Sequence, residues 1–358
     1  MGELSAALAA IGSSASTTEI AAGKAAGRAA ALAMVQERTG DGSEVALPYV
    51  AGTQPGDWRP TGSGDAASPN WPSVKPFCMT SGEQFRPPRP GGYQSKTEML
   101  ASPEYAAQLN EVALLGEATA PPTARNADQT EIAFFWANDA DTTYKPPGQL
   151  FDITKVVSAQ RGLDIVENAR LFALVALAMG DASIVAWDAK YATNLDLWRP
   201  ETAIREAGTD HNPATTPNAS WEPLSQTVSG THFSPPFPAY TSGHATFAAA
   251  HAGVMRLYFG TDNVTFTATT EDPSSSPGVT RSFNSFTQAA LENARSRIYL
   301  GVHFQWDGDH GFLSGTALAE HLMGTRLRPL AAKAPSTNGH AKPTYLGFPD
   351  KLPAGLSH

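Results

Sequence analysis

The sequence predicts an all-α fold, a helical bundle threaded by long irregular loops with at most a minor β-hairpin. Three observations carry this prediction. Helical periodicity recurs in about seven segments, whereas strand-like alternation is confined to one. The 31 Gly and 28 Pro imply long ordered loops around the regular elements. A length of 358 residues leaves ample room for a core.

Taken in order, residues 17–38 ("TTEIAAGKAAGRAAALAMVQER") are Ala-rich, open on a Thr cap and predict a helix. Residues 40–93, rich in Gly, Pro, Trp and Ser, form an irregular segment of the kind that wraps a scaffold or builds a site. Periodicity resumes over 95–117 and 128–137 and runs strongly over 162–190. A second irregular stretch, 205–241, precedes "SGHATFAAAHAGVMRLYFG", where Ser242 is a good N-cap and Gly260 a good stop. "TFTATT" at 265–270 alternates weakly, as one arm of a small hairpin would. Helices follow at 285–300 and 311–326, and the last 30 residues read as an extended tail. The expectation is a single helical domain over 1–358, its active-site half at about 150–330, with no internal repeat.

Charged residues are 16% of the chain, below the roughly 25% of an average domain, and the net charge is −9. An acidic chain with no basic stripe argues against a nucleic-acid partner. Any anion site must be a local concentration of Lys and Arg. The single cysteine, Cys78, rules out an intramolecular disulfide and a Cys-based zinc site. The start, "MGELSAALAAIGSS", lacks the basic region and apolar core of a signal peptide. The most apolar run, "ARLFALVALAMGDASIVAW", contains Arg170 and Asp181 and reads as a buried helix, not a membrane span.

Three polar clusters stand out. The first, "WDAKYATNLDLWRPETAIR", holds Lys190, Arg199 and Arg205, which taken alone describe a solvated helix face. In the second, "FPAYTSGHATF", Ser242, Gly243 and His244 open a helix, where outward amides and the dipole favour an anion. Alone, Ser242 is an ordinary cap and His244 a first-turn residue. The third, "SRIYLGVHFQWDGDHG", places His303 four residues before Asp307. On a helix the carboxylate would accept from the imidazole, fix its tautomer and leave the other ring nitrogen free. Arg297 and His303 would share a face only if the helix breaks between them, and Gly301 is placed for that. The bland reading is a capped helix end with a structural His–Asp pair.

In this order, "RP…SGH…SR-x5-H-x3-D" resembles the signature shared by vanadium-dependent haloperoxidases and type 2 phosphatidic acid phosphatases. The likeness to the bacterial haloperoxidase branch also includes "VKPFCMTSGEQFRPPRP", "AFFWAND…PPGQ" and "PPFPAYTSGHATF". The resemblance implies a helical-bundle fold and a bound vanadate, a site that phosphate also fits. It implies that Lys190, Arg199 and Arg297 neutralise the oxyanion, with Ser242 and the Gly243 amide adding hydrogen bonds. His303 would bond to the metal, Asp307 would orient it, and His244 would be the acid/base at the apical oxygen. Trp187 and Phe237 match aromatic positions of the halide pocket. The implied reaction is oxidation of halide by hydrogen peroxide to a hypohalous acid equivalent that halogenates an organic acceptor.

Two departures are visible. Thr241 stands where the family usually has proline before Ser-Gly-His. Eight residues separate Lys190 from Arg199, against the family's six. Nine helical steps of about 100° put the two side chains on opposite faces, so either the helix unwinds near "ATNLD" or Lys190 does not reach the anion. Relatives carry further helical sequence before the region where this chain begins. They are often exported, which makes a secreted or periplasmic location the expectation, and a homodimer stays open.

The alternative is an acid phosphatase in which His303 is the phosphohistidine nucleophile and His244 the general acid. The aromatic pair favours the peroxidase, because a phosphatase needs room for an ester group. A divalent-cation site from His303, Asp307, Asp309 and His310 conflicts with Arg297 beside it. A serine hydrolase through Ser242 lacks the G-x-S-x-G elbow, and a non-catalytic scaffold would bind neither anion.

Overall fold

Short capping side chains start most of the helices. In the computed structural model, which describes residues 5, 6, 9, 15–62 and 64–328, ten α-helices and one two-stranded sheet are present. The described chain divides into two compact units, on either side of the Val45–Ala46 junction.

The first unit contains α1 (Thr17–Arg38). Its cap is Ser16 rather than the expected Thr17: the Ser16 hydroxyl accepts from Glu19 N–H, and Glu19 returns a bond to the Ser16 amide. None of its residues is buried.

The second unit is the bundle. The 40–93 stretch is irregular as expected, with only short 3-10 turns. The helix expected over 95–117 is two, α2 (Lys96–Leu100) and α3 (Pro103–Leu115), because Ser102 caps a new start with Pro103 in its first turn. Next come α4 (Ala127–Phe135), α5 (Lys145–Arg161), α6 (Ile165–Tyr191) and α7 (Pro200–Arg205). The sequence reading missed α5, which opens on "KPPG"; prolines that read as breakers are tolerated there in the first turn. After the second irregular stretch come α8 (Gly243–Phe259), β1 (Phe266–Thr269), β2 (Thr280–Phe283), α9 (Phe286–Tyr299) and α10 (Gln305–Thr325). β1 and β2 pair antiparallel, with Phe266 opposite Phe283, as the minor hairpin. The tail expected after residue 328 lies outside the described residues.

The core gathers around α8, which packs on α6, α9 and α10. α10 approaches α8 so closely that a Cβ on Gly315 would lie 2.3 Å from the Thr246 carbonyl. Among the described residues α6 alone is long and apolar enough to cross a membrane. Its Leu174, Val175, Ala178, Ala182 and Val185 are instead buried in the protein core. Asp181, fully buried in the same helix, accepts from the amides of Phe77 (2.7 Å), Cys78 (2.7 Å) and Met79 (3.1 Å) and so fastens the irregular segment to the bundle.

Candidate active site

Four chain segments deliver the site: the end of α6, the start of α7, the 237–244 approach into α8, and the α9–α10 junction. The junction breaks where expected. α9 stops at Tyr299, and Gly301 has φ +80, where a side chain would strike the Gly116 carbonyl at 2.4 Å. His303 therefore precedes α10, and Asp307 lies in its first turn, so the pair meets across a helix start rather than along a helix.

His303 Nδ1 lies 2.9 Å from Asp307 Oδ2, which also accepts from the Phe304 amide at 3.1 Å. His303 Nε2 lies 3.1 Å from Arg199 Nη1, a group that can only donate. The imidazole thus carries its proton on Nδ1, and the lone pair on its Nε2 faces Arg199 Nη1. Burial, then Arg199 and the other cations, hold its pKa well below the usual histidine range, so it is neutral. Burial also pushes Asp307 up to about 7, against the pull of its Phe304 N–H bond and the nearby cations.

Arg199 and Arg297 are almost inaccessible. Arg199 donates from Nε to the Phe237 carbonyl (2.7 Å) and from Nη1 to that of Val302 (2.7 Å), and its Nη2 has no partner. Arg297 donates from Nη2 to Asp139 at 3.2 Å, and its Nε and Nη1 have no partner. Buried unpaired donors are uncommon, since each costs about 1–3 kcal/mol. On two guanidiniums beside one neutral imidazole, they fit the oxygens of a tetrahedral anion.

Ser242 caps α8: its hydroxyl accepts from Ala245 N–H (3.3 Å), and its own amide donates to the Asp307 carbonyl (2.9 Å). Gly243 sits in the first turn against Trp187, whose ring would be 3.3 Å from an added Cβ. His244 Nε2 lies 3.1 Å from the Ala137 carbonyl, which must accept, so Nδ1 is the basic nitrogen. Burial, then Arg297, lowers its pKa to about 4. Trp187 and Phe237 pack with ring centroids 4.8 Å apart.

The Lys190–Arg199 spacing resolves as an unwound connection. α6 ends at Tyr191, and the following turn is anchored at Asp196 by Tyr49 (2.7 Å) and Lys96 (3.1 Å). Arg199 thereby returns to Lys190's side: Lys190 Nζ lies 4.9 Å and Arg199 Cζ 4.7 Å from the Phe237 ring centroid. Lys190 itself donates to the carbonyls of Pro238, Ala239 and Thr241.

Other polar residues of the signature go elsewhere. Arg205 pairs with Glu201 at 2.7 Å, Asp309 accepts from Gln305 at 2.6 Å, and His310 Nδ1 meets the Tyr240 hydroxyl at 2.5 Å. No group of three or more His, Cys, Asp or Glu among the described residues is placed to hold a cation. Asp139 went unassigned in the sequence reading; it stands in the quoted "AFFWAND", and the signal was that a buried Arg297 needs a carboxylate partner.

Residues 170–330 match a family described as the VCPO second helical-bundle domain. The vanadium chloroperoxidase of Curvularia inaequalis is 30% identical over 268 residues, 61% of this chain and 42% of that protein. A bacterial vanadium-dependent iodoperoxidase structure is 30% identical with a TM-score of 0.65, covering 82% of this chain and 65% of that one. The holo form of a bacterial vanadium-dependent chloroperoxidase, at 18% identity and TM-score 0.60, covers 80% of this chain and 69% of its own, and shares the fold. The chain thus spans less than half of the curated relative and about two thirds of the iodoperoxidase.

Proposed function

We propose that this chain, whose residues 170–330 match the VCPO second helical-bundle domain, is a vanadate-dependent haloperoxidase. The observation that carries the reading is the set of three unpaired guanidinium nitrogens on Arg199 and Arg297 beside a neutral His303 whose unprotonated Nε2 faces Arg199.

Arg199 and Arg297 would hold the oxyanion by charge and hydrogen bonds, with the Ser242 hydroxyl and Gly243 amide completing the cradle. His303 Nε2 would be the protein's bond to vanadium. Asp307 keeps that nitrogen unprotonated by accepting a hydrogen bond from Nδ1–H, and it stabilises any positive charge that builds on the ring. Bound vanadate would supply a Lewis acid that activates peroxide without changing oxidation state. His244, neutral with Nδ1 as its basic nitrogen, takes a proton from incoming hydrogen peroxide and can return it. Its low pKa keeps it in the basic form across neutral and mildly acidic pH. Trp187 and Phe237 form an aromatic wall beside two cations, an environment that suits a weakly hydrated halide, which would then pass oxidised to an organic acceptor. The active-site half is residues 150–330.

The test is a panel on vanadate-loaded protein: peroxide, each halide in turn, and an aryl phosphate ester as control. Halide- and peroxide-dependent halogenation, lost in His303→Ala, is expected. Ester hydrolysis lost in the same variant and indifferent to halide would instead make the chain a phosphatase.

A further inference from the structure

Lys190 presents an ammonium whose hydrogens are all engaged by one short stretch of backbone. Nζ lies 2.7 Å from the Pro238 carbonyl oxygen, 3.1 Å from that of Ala239 and 2.5 Å from that of Thr241. Burial and then the Arg199 charge pull the Lys190 pKa well below the usual lysine range, with Asp307 opposing them. The side chain is an ammonium, because only that form has the three N–H donors that three carbonyl acceptors need. None is left for a ligand. The same stretch is fastened from its other side: Arg199 Nε holds the Phe237 carbonyl at 2.7 Å, and the Ala239 amide donates to Leu197 at 2.8 Å. It leads directly into Ser242, whose amide is tied to the Asp307 carbonyl. The lengthened Lys190–Arg199 connection, anchored at Asp196, supplies Leu197 to this arrangement.

We propose that Lys190 is a positioning residue, which clamps the Pro238–Thr241 segment so that Ser242 and Gly243 are held at the anion site, and which reaches the bound oxyanion through its charge alone. This rests on the oxyanion reading given above, and it separates Lys190 from Arg199 and Arg297, which keep unpaired donors. A clamp of this kind acts before any ligand arrives, by removing the cost of ordering the segment on binding.

Two measurements test it. In unmutated protein labelled with nitrogen-15 lysine and arginine, the Lys190 ammonium resonance is assigned through bonds from its own backbone. It is then followed during titration with inorganic phosphate and with orthovanadate. The expected result is a stationary Lys190 signal while the Arg297 side-chain signals move; a Lys190 shift as large as that of Arg297 would overturn the proposal. In the second, amide exchange is compared between ligand-free Lys190→Met and unmutated protein. Faster exchange confined to Ala239, Ser242 and Ala245, with phosphate binding about tenfold weaker, supports the clamp. Unchanged exchange at those amides with weakened binding marks a direct ligand and overturns it. If Lys190→Met does not fold, the ammonium titration decides. If the unmutated protein binds neither anion, the oxyanion reading falls, and the exchange comparison alone judges the clamp.

Discussion

Lys190 and Arg297 each sit in the last turn of a helix, α6 and α9, where the dipole favours a cation, and both are essentially inaccessible. They are held in opposite ways. Every Lys190 proton goes to a backbone carbonyl, whereas Arg297 makes one bond, to Asp139, and leaves Nε and Nη1 unpaired. A fully engaged ammonium builds the loop whether or not a ligand is present. A guanidinium with unspent buried donors is costly until a ligand meets them. Counting spent and unspent donors therefore separates residues that shape the site from residues that bind in it.

The largest effect should come from His303→Ala, which removes the lone pair offered to the ligand and should abolish turnover in either a halogenation or an ester assay. Next is Arg297→Met. Truncating one partner of a buried, hydrogen-bonded charge pair costs about 2–5 kcal/mol of binding, roughly thirtyfold or more, read here as anion affinity in calorimetry. The melting temperature should fall little, because Asp139 keeps 29% of its side chain in water. Lys190→Met should invert that pattern, with a larger drop in melting temperature and the smaller, about tenfold, loss of affinity. Equal patterns in the two variants would erase the distinction.

Acid should act through the buried histidines. In the unfolded chain they take up protons near 6.5, but in the fold His244, His251 and His310 do so only near 4, 3 and 4, chiefly because of burial. Between those values the unfolded chain binds more protons, so stability is full above about 6.5 and falls as pH drops towards 4. Asp307, raised to about 7, works the other way and loses its contribution as pH rises through that value. Asp272 and Asp309, also raised by burial, join Asp307, and His303, lowered well below the usual histidine range, joins the histidines. The four histidines outweigh the three carboxyls, and melting temperature should decline from pH 7 to pH 4. The smallest effect belongs to Thr241→Val. The Thr241 hydroxyl is buried without a partner, so its removal should stabilise the ligand-free protein slightly, by about 1 kcal/mol, read as a small rise in melting temperature.

Much of this was legible in the sequence, because the chemistry depends on local spacing. The Ser-Gly-His helix start, the His303–Asp307 pair and the break at Gly301 all follow from residues within a few positions of one another. The spacing argument also named an unwound helix near "ATNLD" as one of two outcomes, the other being a Lys190 that does not reach the anion. What stayed hidden was non-local. Asp139 meets Arg297 across 158 positions, and Lys190 spends its protons on carbonyls 48 to 51 residues away. Backbone acceptors carry no side-chain signature, so the sequence marked Lys190 as a cation without saying what it holds. His251, on the same helix as His244, is a polar core residue: its Nε2 lies 2.9 Å from the Thr154 hydroxyl, inside the packing of α8 on α5.

The most direct measurement is calorimetric titration of orthovanadate into ligand-free protein, unmutated and Arg297→Met, at neutral pH. The account predicts one binding event per chain in the first and a loss of roughly thirtyfold or more in affinity in the second. No binding to the unmutated protein, or equal binding to both, would contradict it.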